Sequence, residues 1–137
     1  MSGPYDAVLR LRRREMDDYG IAISGAREQL DRISDAKTRS IEEMKRQSRL
    51  GADDPLLSSH HYLARMRRQR EELARAEAEA DAALEVLRDE AAQALASLRA
   101  TEDSAEQHQT EEDLAIARKE QGEFDDLSAA RLARSGK

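Results

Sequence analysis

Residues 9–44 read LRLRRREMDDYGIAISGAREQLDRISDAKTRSIEEM, and their apolar residues repeat every seven positions. Lys37 is the one break in this series. A second set of apolar or tyrosine residues lies three positions after members of this series. Spacing of this kind marks the seam of a coiled coil. The members of the two sets are Leu9, Met16, Ile23, Leu30 and Met44, and Tyr19, Ala26 and Ile33.

Two glycines fall inside this stretch, and each costs about 1 kcal/mol in a helix relative to alanine. The apolar register nevertheless holds across Gly20 and Gly25, from Met16 before them to Leu30 after them. An interruption of the helix would normally reset that register. We therefore predict one continuous first helix.

A second apolar series begins near Tyr62, runs to Leu98 and is rich in alanine over residues 74–83. Between the two series lies GADDP at residues 51–55, the clearest turn signal inside the chain. Asp54 and Pro55 suit the N-cap and first turn of a helix. The sequence thus predicts an all-α fold, a long antiparallel two-helix coiled-coil hairpin with an extended C-terminal helix.

The predicted boundaries describe one coiled-coil domain over residues 1–137. Helix one is expected at about residues 5–50, the turn at residues 51–55 and helix two at about residues 56–132. With the turn there, residue 44 should lie near residue 62 and residue 9 near residue 97.

The composition is typical of long helices, with 38% charged residues and 3% aromatic residues. There is no cysteine, so neither a disulfide nor a thiolate metal site is available. His60 and His61 are adjacent and point in different directions on a helix, and the scattered glycines form no phosphate-binding loop. We therefore expect no enzyme activity, no cofactor and no metal site.

The location and the excluded partners follow from hydropathy and charge. No apolar stretch approaches the roughly 20 residues of a membrane span, and the N-terminus lacks the apolar region of a signal peptide. We expect a cytoplasmic protein with no membrane span. The net charge is -6 and no aromatic residues interleave with the arginines, so nucleic acid is not an expected partner.

The charges are unevenly distributed along the chain. The start and both sides of the predicted turn are basic, whereas residues 102–113 carry six acidic and no basic side chains. This pattern fits either a solvated coiled-coil surface or two ends that meet different partners by charge complementarity.

The last part of the chain has no predicted intramolecular partner. Residues 101–113 contain almost nothing apolar, and apolar spacing returns with Leu114, Ile116, Phe124 and Leu127. Because a lone helix is marginal in water, this segment is either a frayed tail or a helix that binds a partner.

Two runs of residues resemble a known family. LRLRRRE at residues 9–15, followed by Asp17 and Asp18, is similar to the N-terminal signature of the flagellar export protein FliJ family. ARKEQGEFDDL at residues 117–127 is similar to the C-terminal signature of that family, which is related to the YscO-type stalk proteins of injectisomes. The resemblance implies a non-enzymatic coiled-coil shaft of the bacterial type III flagellar export apparatus, peripheral at the cytoplasmic face of the inner membrane.

Such a shaft inserts into the ring of the export ATPase and connects it to the cytoplasmic domain of the membrane export gate, and some members also handle export chaperones. Since both signatures fall at the open end of the predicted hairpin, the resemblance assigns that end to the ATPase, through Arg10, Arg13, Arg14, Glu120, Phe124, Asp125 and Leu127. The turn end is assigned to the gate, through Ile41, Met44, Leu57, Tyr62, Leu63 and Met66.

Three other functions remain open on the sequence. One is an injectisome stalk protein of the same architecture. Another is a generic dimeric coiled-coil scaffold, in which Lys37 and Ser40 would be awkward seam residues. The third is a small holdase chaperone that binds unfolded chains.

Overall fold

A computed structural model of the chain describes residues 3–50 and 60–136, without the side chain of Leu50. Two helices, α1 (Asp6–Leu50) and α2 (His60–Ser135), contain 97% of the described residues. They pack against each other and the described residues form no strand, so the predicted all-α helical hairpin is confirmed. The chain divides into two compact units: unit 1 combines Met1–Arg13 with Leu95–Lys137, and unit 2 is Arg14–Ala94.

The first turn of α1 is capped by its own residues. The Asp6 carboxylate accepts a hydrogen bond from the Gly3 N–H at 2.6 Å, and the Asp6 N–H donates to the Gly3 carbonyl at 3.2 Å. Asp6 also places negative charge in the first turn, where the helix dipole favours it. α1 then runs through Gly20 and Gly25 without interruption, as the apolar register predicted.

The predicted turn and the predicted start of helix two lie outside the described residues. The turn at residues 51–55, with Asp54 and Pro55, cannot be compared with the structure for that reason. α2 is described from His60 to Ser135, where the sequence predicted about 56–132.

Unit 2 is held together by one seam between the two helices. On α1 the half-buried side chains follow one another at alternating spacings of three and four residues, from Met16 through Ile33. On α2 the buried and half-buried side chains show the same spacing from Leu73 through Ala94. The most buried apolar side chain is Leu84, which is 2% exposed. Seam burial at this spacing is the coiled-coil packing that the heptads predict.

The seam of unit 2 has a polar interruption. The Lys37 Nζ lies 3.7 Å from the Glu77 Oε1, and both side chains are partly exposed. Ser40 is buried, and its hydroxyl has no hydrogen-bond partner. This part of the seam therefore contributes less to stability than its apolar neighbours, because an unpaired buried hydroxyl costs about 1–3 kcal/mol.

The predicted register between the helices is wrong. It placed residue 37 near residue 69, whereas Lys37 pairs with Glu77, about two helical turns further along α2. The reason is that a heptad pattern is unchanged by a shift of seven residues. The apolar pattern of each helix therefore does not determine the register between them.

Unit 1 contains the start of α1 packed against α2. Leu98 is buried, and Leu9 and Ala105 are half-buried. The Tyr5 ring lies 5.8 Å from the His108 ring at a tilt of 59°. Beyond His108 every described residue of α2 is exposed except the half-buried Ser128, so α2 continues as a single helix.

Candidate partner-binding surfaces

The terminal segment, defined as residues 109–136, is a helix whose side-chain hydrogen bonds among the described residues are local ones within α2. The Gln109 side-chain amide donates to the Asp113 carboxylate at 3.1 Å, and the Gln121 amide donates to Asp125 at 3.0 Å. Such pairs, four residues apart, add only a few tenths of a kcal/mol each. Because single helices gain most of their stability from packing, this segment is suited to packing against another molecule.

Large apolar side chains are concentrated on the terminal segment. It carries five of the ten large apolar side chains that are exposed among the described residues. Phe124 is 65% exposed and Leu127 is 64% exposed, against 2% for Leu84 in the seam. Clustered exposed apolar surface is characteristic of an interaction site. The five residues are Leu114, Ile116, Phe124, Leu127 and Leu132.

Leu114 and Phe124 of this segment do not continue the seam. Extending the seam positions of Ala105 and His108 by the same spacing leads to Glu112, Ala115 and Lys119, which are polar or small. A different set of positions, spaced by three and four residues, is rotated from that line by about half a turn. We call this set the terminal face; it comprises Leu114, Ala117, Gln121, Phe124, Ser128 and Arg131.

The rotation has a direct consequence for binding. A longer α1 that followed the seam would run along the side that carries Glu112 and Lys119, and it would leave Phe124 uncovered. The terminal face is therefore a separate surface.

The predicted ATPase-binding residues are all exposed, but they do not form one patch. Arg10 and Arg13 lie on the part of α1 that packs beside α2 before His108, and Arg14 follows Arg13 directly on α1. Phe124 lies 16 residues beyond His108, which corresponds to about 24 Å along a helix.

Within the terminal segment the predicted ATPase-binding residues divide again. Glu120, Phe124 and Leu127 are neighbours at spacings of four and three residues, whereas Asp125 flanks the terminal face. The sequence prediction thus joined surfaces that the structure keeps apart.

The predicted gate-binding residues lie mostly in the seam. Met66 is buried, and Ile41, Met44 and Tyr62 are half-buried. Leu63 is 48% exposed, while Leu57 lies outside the described residues. The apolar groups of this set therefore stabilise the hairpin, and only Leu63 among the five described residues is an exposed apolar contact.

The accessible surface at the start of α2 is basic. The Arg65 guanidinium lies 5.9 Å from the centre of the Tyr62 ring, a cation–π contact. The first turn of α2 contains no acidic residue that would complement the helix dipole. A shallow groove here is lined by His61, Tyr62, Arg65, Arg68, Gln69 and Glu72.

Two chemical properties of the described residues bear on function. They contain no cluster of histidine, aspartate or glutamate that could hold a metal ion. Neither α1 nor α2, over the residues described, has a stretch long and apolar enough to cross a membrane. What these residues present is a set of exposed apolar and charged helix surfaces.

Sequence reasoning included Phe124 and Leu127 in a site but left out their apolar neighbours. The apolar spacing identifies Leu114 and Ile116 but does not assign them to the site, and it does not identify Leu132. Counting positions at spacings of three and four from Phe124 back to Leu114 would have found the terminal face.

Comparison of the chain with protein-family models, with curated proteins and with solved structures found no match. A proposal for its function therefore rests on the surfaces described above, together with the two runs that resemble FliJ signatures.

Proposed function

We propose that this chain is a non-enzymatic coiled-coil shaft of the bacterial flagellar type III export apparatus. In this role it links the export ATPase ring to the cytoplasmic domain of the membrane export gate and assists the handling of export chaperones. The observation that carries the proposal is the terminal segment, an exposed single helix whose residues 117–127 resemble the C-terminal signature of the FliJ family.

The shape of the terminal segment suits insertion into a ring. A single helix with its side chains is about 10–12 Å wide, whereas a pair is about twice as wide. Leu114 and Phe124 lie on the terminal face, Leu127 lies beside it, and Ile116 lies between it and the continued seam. Apolar groups spread over nearly half of the helix circumference can contact more than one subunit of a ring at the same time.

The charges of unit 1 support an oriented approach to a partner. Arg10 and Arg13 are exposed on α1, and residues 102–113 of α2 carry six acidic side chains. Charged groups of both signs fix the orientation of a complex more than its affinity. At the start of α2, the basic groove is the corresponding contact for the gate, where it calls for an acidic partner surface. The exposed Leu63 lies on another side of α2.

The test uses the purified chain and the export ATPase of the same organism. Co-sedimentation is measured while ATP turnover is followed, and we expect stable association with promoted ring assembly. Replacing Phe124 and Leu127 by aspartate should abolish both effects. Ile21→Asp is the matched control because Ile21 is also apolar and 73% exposed but lies in unit 2.

Two results would oppose the proposal. A wild-type chain that neither binds the ATPase nor changes its turnover would reject the shaft role. If Ile21→Asp were as harmful as the changes at Phe124 and Leu127, binding would not depend on the terminal segment.

A further inference from the structure

The terminal face needs a partner that presents apolar groups and the right charges, and a second copy of this chain meets both needs. Its positions alternate by three and four residues from Leu114 to Arg131, as the core positions of a coiled coil do. Ala117 and Ser128 are small and allow close approach of a second helix. We propose that two copies pair through their terminal faces as an antiparallel coiled coil.

Charge selects the antiparallel direction. Residues 111–113 are all acidic, whereas Arg131 and Arg134 are the charged groups of residues 128–136. A parallel pair would place the acidic ends side by side. An antiparallel pair places each acidic end beside the basic end of the other copy, which is attractive at both ends.

The core positions define a register for this pair. When residue 121 of one copy is level with residue 124 of the other, residue 114 is level with residue 131 and residue 117 with residue 128. Phe124 then packs on the side chain of Gln121 from the second copy. Leu114 packs on the aliphatic stem of Arg131, whose charged end can still reach water.

The flanking residues fit the same register. In an antiparallel coiled coil, like positions on the two flanks face each other across the core. Arg118 then lies opposite Asp125 of the second copy, and Asp113 lies opposite Arg134. Since each contact occurs twice by symmetry, the dimer gains four attractive pairs, whereas the parallel arrangement would oppose Glu120 and Asp125.

The core also sets the strength of association. Gln121, Ser128 and Arg131 occupy three of the six core positions, so the apolar area is small for a stable dimer. We therefore expect a reversible dimer with a Kd on the order of 10 µM.

This pairing does not rest on the proposed function, because it involves only copies of this chain. Phe124 belongs to both surfaces, so a chain paired through its terminal face could not offer the same face to an ATPase. The experiment below uses the purified full chain alone, and its outcome is separate from that of the ATPase experiment.

The first measurement is sedimentation equilibrium from about 1 to about 300 µM, combined with a distance between spin labels. The chain has no cysteine, so Thr110→Cys provides a single labelling site in each copy. In the proposed register residue 110 is level with residue 135 of the other copy, and the labels should be about 40 Å apart. A parallel pair would bring them within roughly 20 Å.

A charge exchange tests the register. Arg118→Asp alone, or Asp125→Arg alone, opposes like charges twice in each dimer and should weaken association by about tenfold or more. The double variant has the composition and net charge of the original chain and should restore association. Arg75→Asp, at an exposed position of unit 2, is the control and should leave association unchanged.

The proposal is overturned by a chain that stays monomeric at about 300 µM, or by a dimer with a short label distance. It is equally overturned by single charge variants that associate as well as the original, or by a double variant that fails to recover. Circular dichroism of each variant shows whether the helix itself is retained.

Discussion

Truncating Leu84 measures directly how much the seam stabilises unit 2. Leu84→Ala removes three carbon atoms from a side chain that is 2% exposed. At about 0.8 kcal/mol for each buried methylene-sized group, the transfer term alone is about 2.4 kcal/mol. A cavity would add to this, but two helices close over a gap more easily than a globular core does. We expect a loss of about 2–3 kcal/mol in the free energy of unfolding.

The assay is urea unfolding of the full chain followed by circular dichroism, with Val86→Ala as the control. Val86 is 55% exposed, and alanine favours the helix, so this control should change stability by less than about 0.5 kcal/mol. A Leu84→Ala variant that lost no more than the control would refute the reasoning, because the seam would then not be what stabilises the hairpin.

Three further changes probe the seam and the helices. Ser40→Ala should stabilise the chain by about 1 kcal/mol in urea unfolding, because it removes a buried hydroxyl without a hydrogen-bond partner; a loss of stability would contradict this. Gly20→Ala and Gly25→Ala should each raise stability by about 0.5–1 kcal/mol, since no atom of a neighbouring group lies within 4 Å of either added Cβ. A fall in the melting temperature would contradict the open helical surroundings of these two glycines. Lys37→Glu should lose up to about 1 kcal/mol beside Glu77, and exchanging the two charges should restore it; a double variant no better than the single one would mean that these residues are not neighbours.

The hairpin could be predicted because its cause is local and repetitive. Apolar residues at heptad spacing, from Leu9 to Met44, specify which side of α1 is buried, and the structure buries that side. The continuity through Gly20 and Gly25 follows from the same phase.

The register could not be predicted from that pattern. Moving Lys37 from residue 69 to Glu77 is a shift of about one heptad, which leaves the same residues in the seam. The choice between such registers depends on the number of residues that connect the helices and on single polar pairs. The apolar heptad pattern contains neither kind of information.

Which side chains are buried at the turn end likewise depends on how the two helices pair. The resemblance assigns Met44 and Met66 to a partner contact at the turn end, yet Met66 is 8% exposed and Met44 is half-buried. The terminal segment was easier to recognise, because its apolar residues have no possible partner within the hairpin. Its phase relative to the seam became clear only from the burial of Ala105 and His108.

Electron cryomicroscopy of the export ATPase ring, assembled with this chain, is the most direct measurement of the proposed shaft role. The proposal predicts density for a single helix in the central channel, with residues 109–136 inside the ring and Phe124 against the subunits. Density for the chain only on the outer surface of the ring, or an empty channel under conditions where the chain is bound, would contradict it.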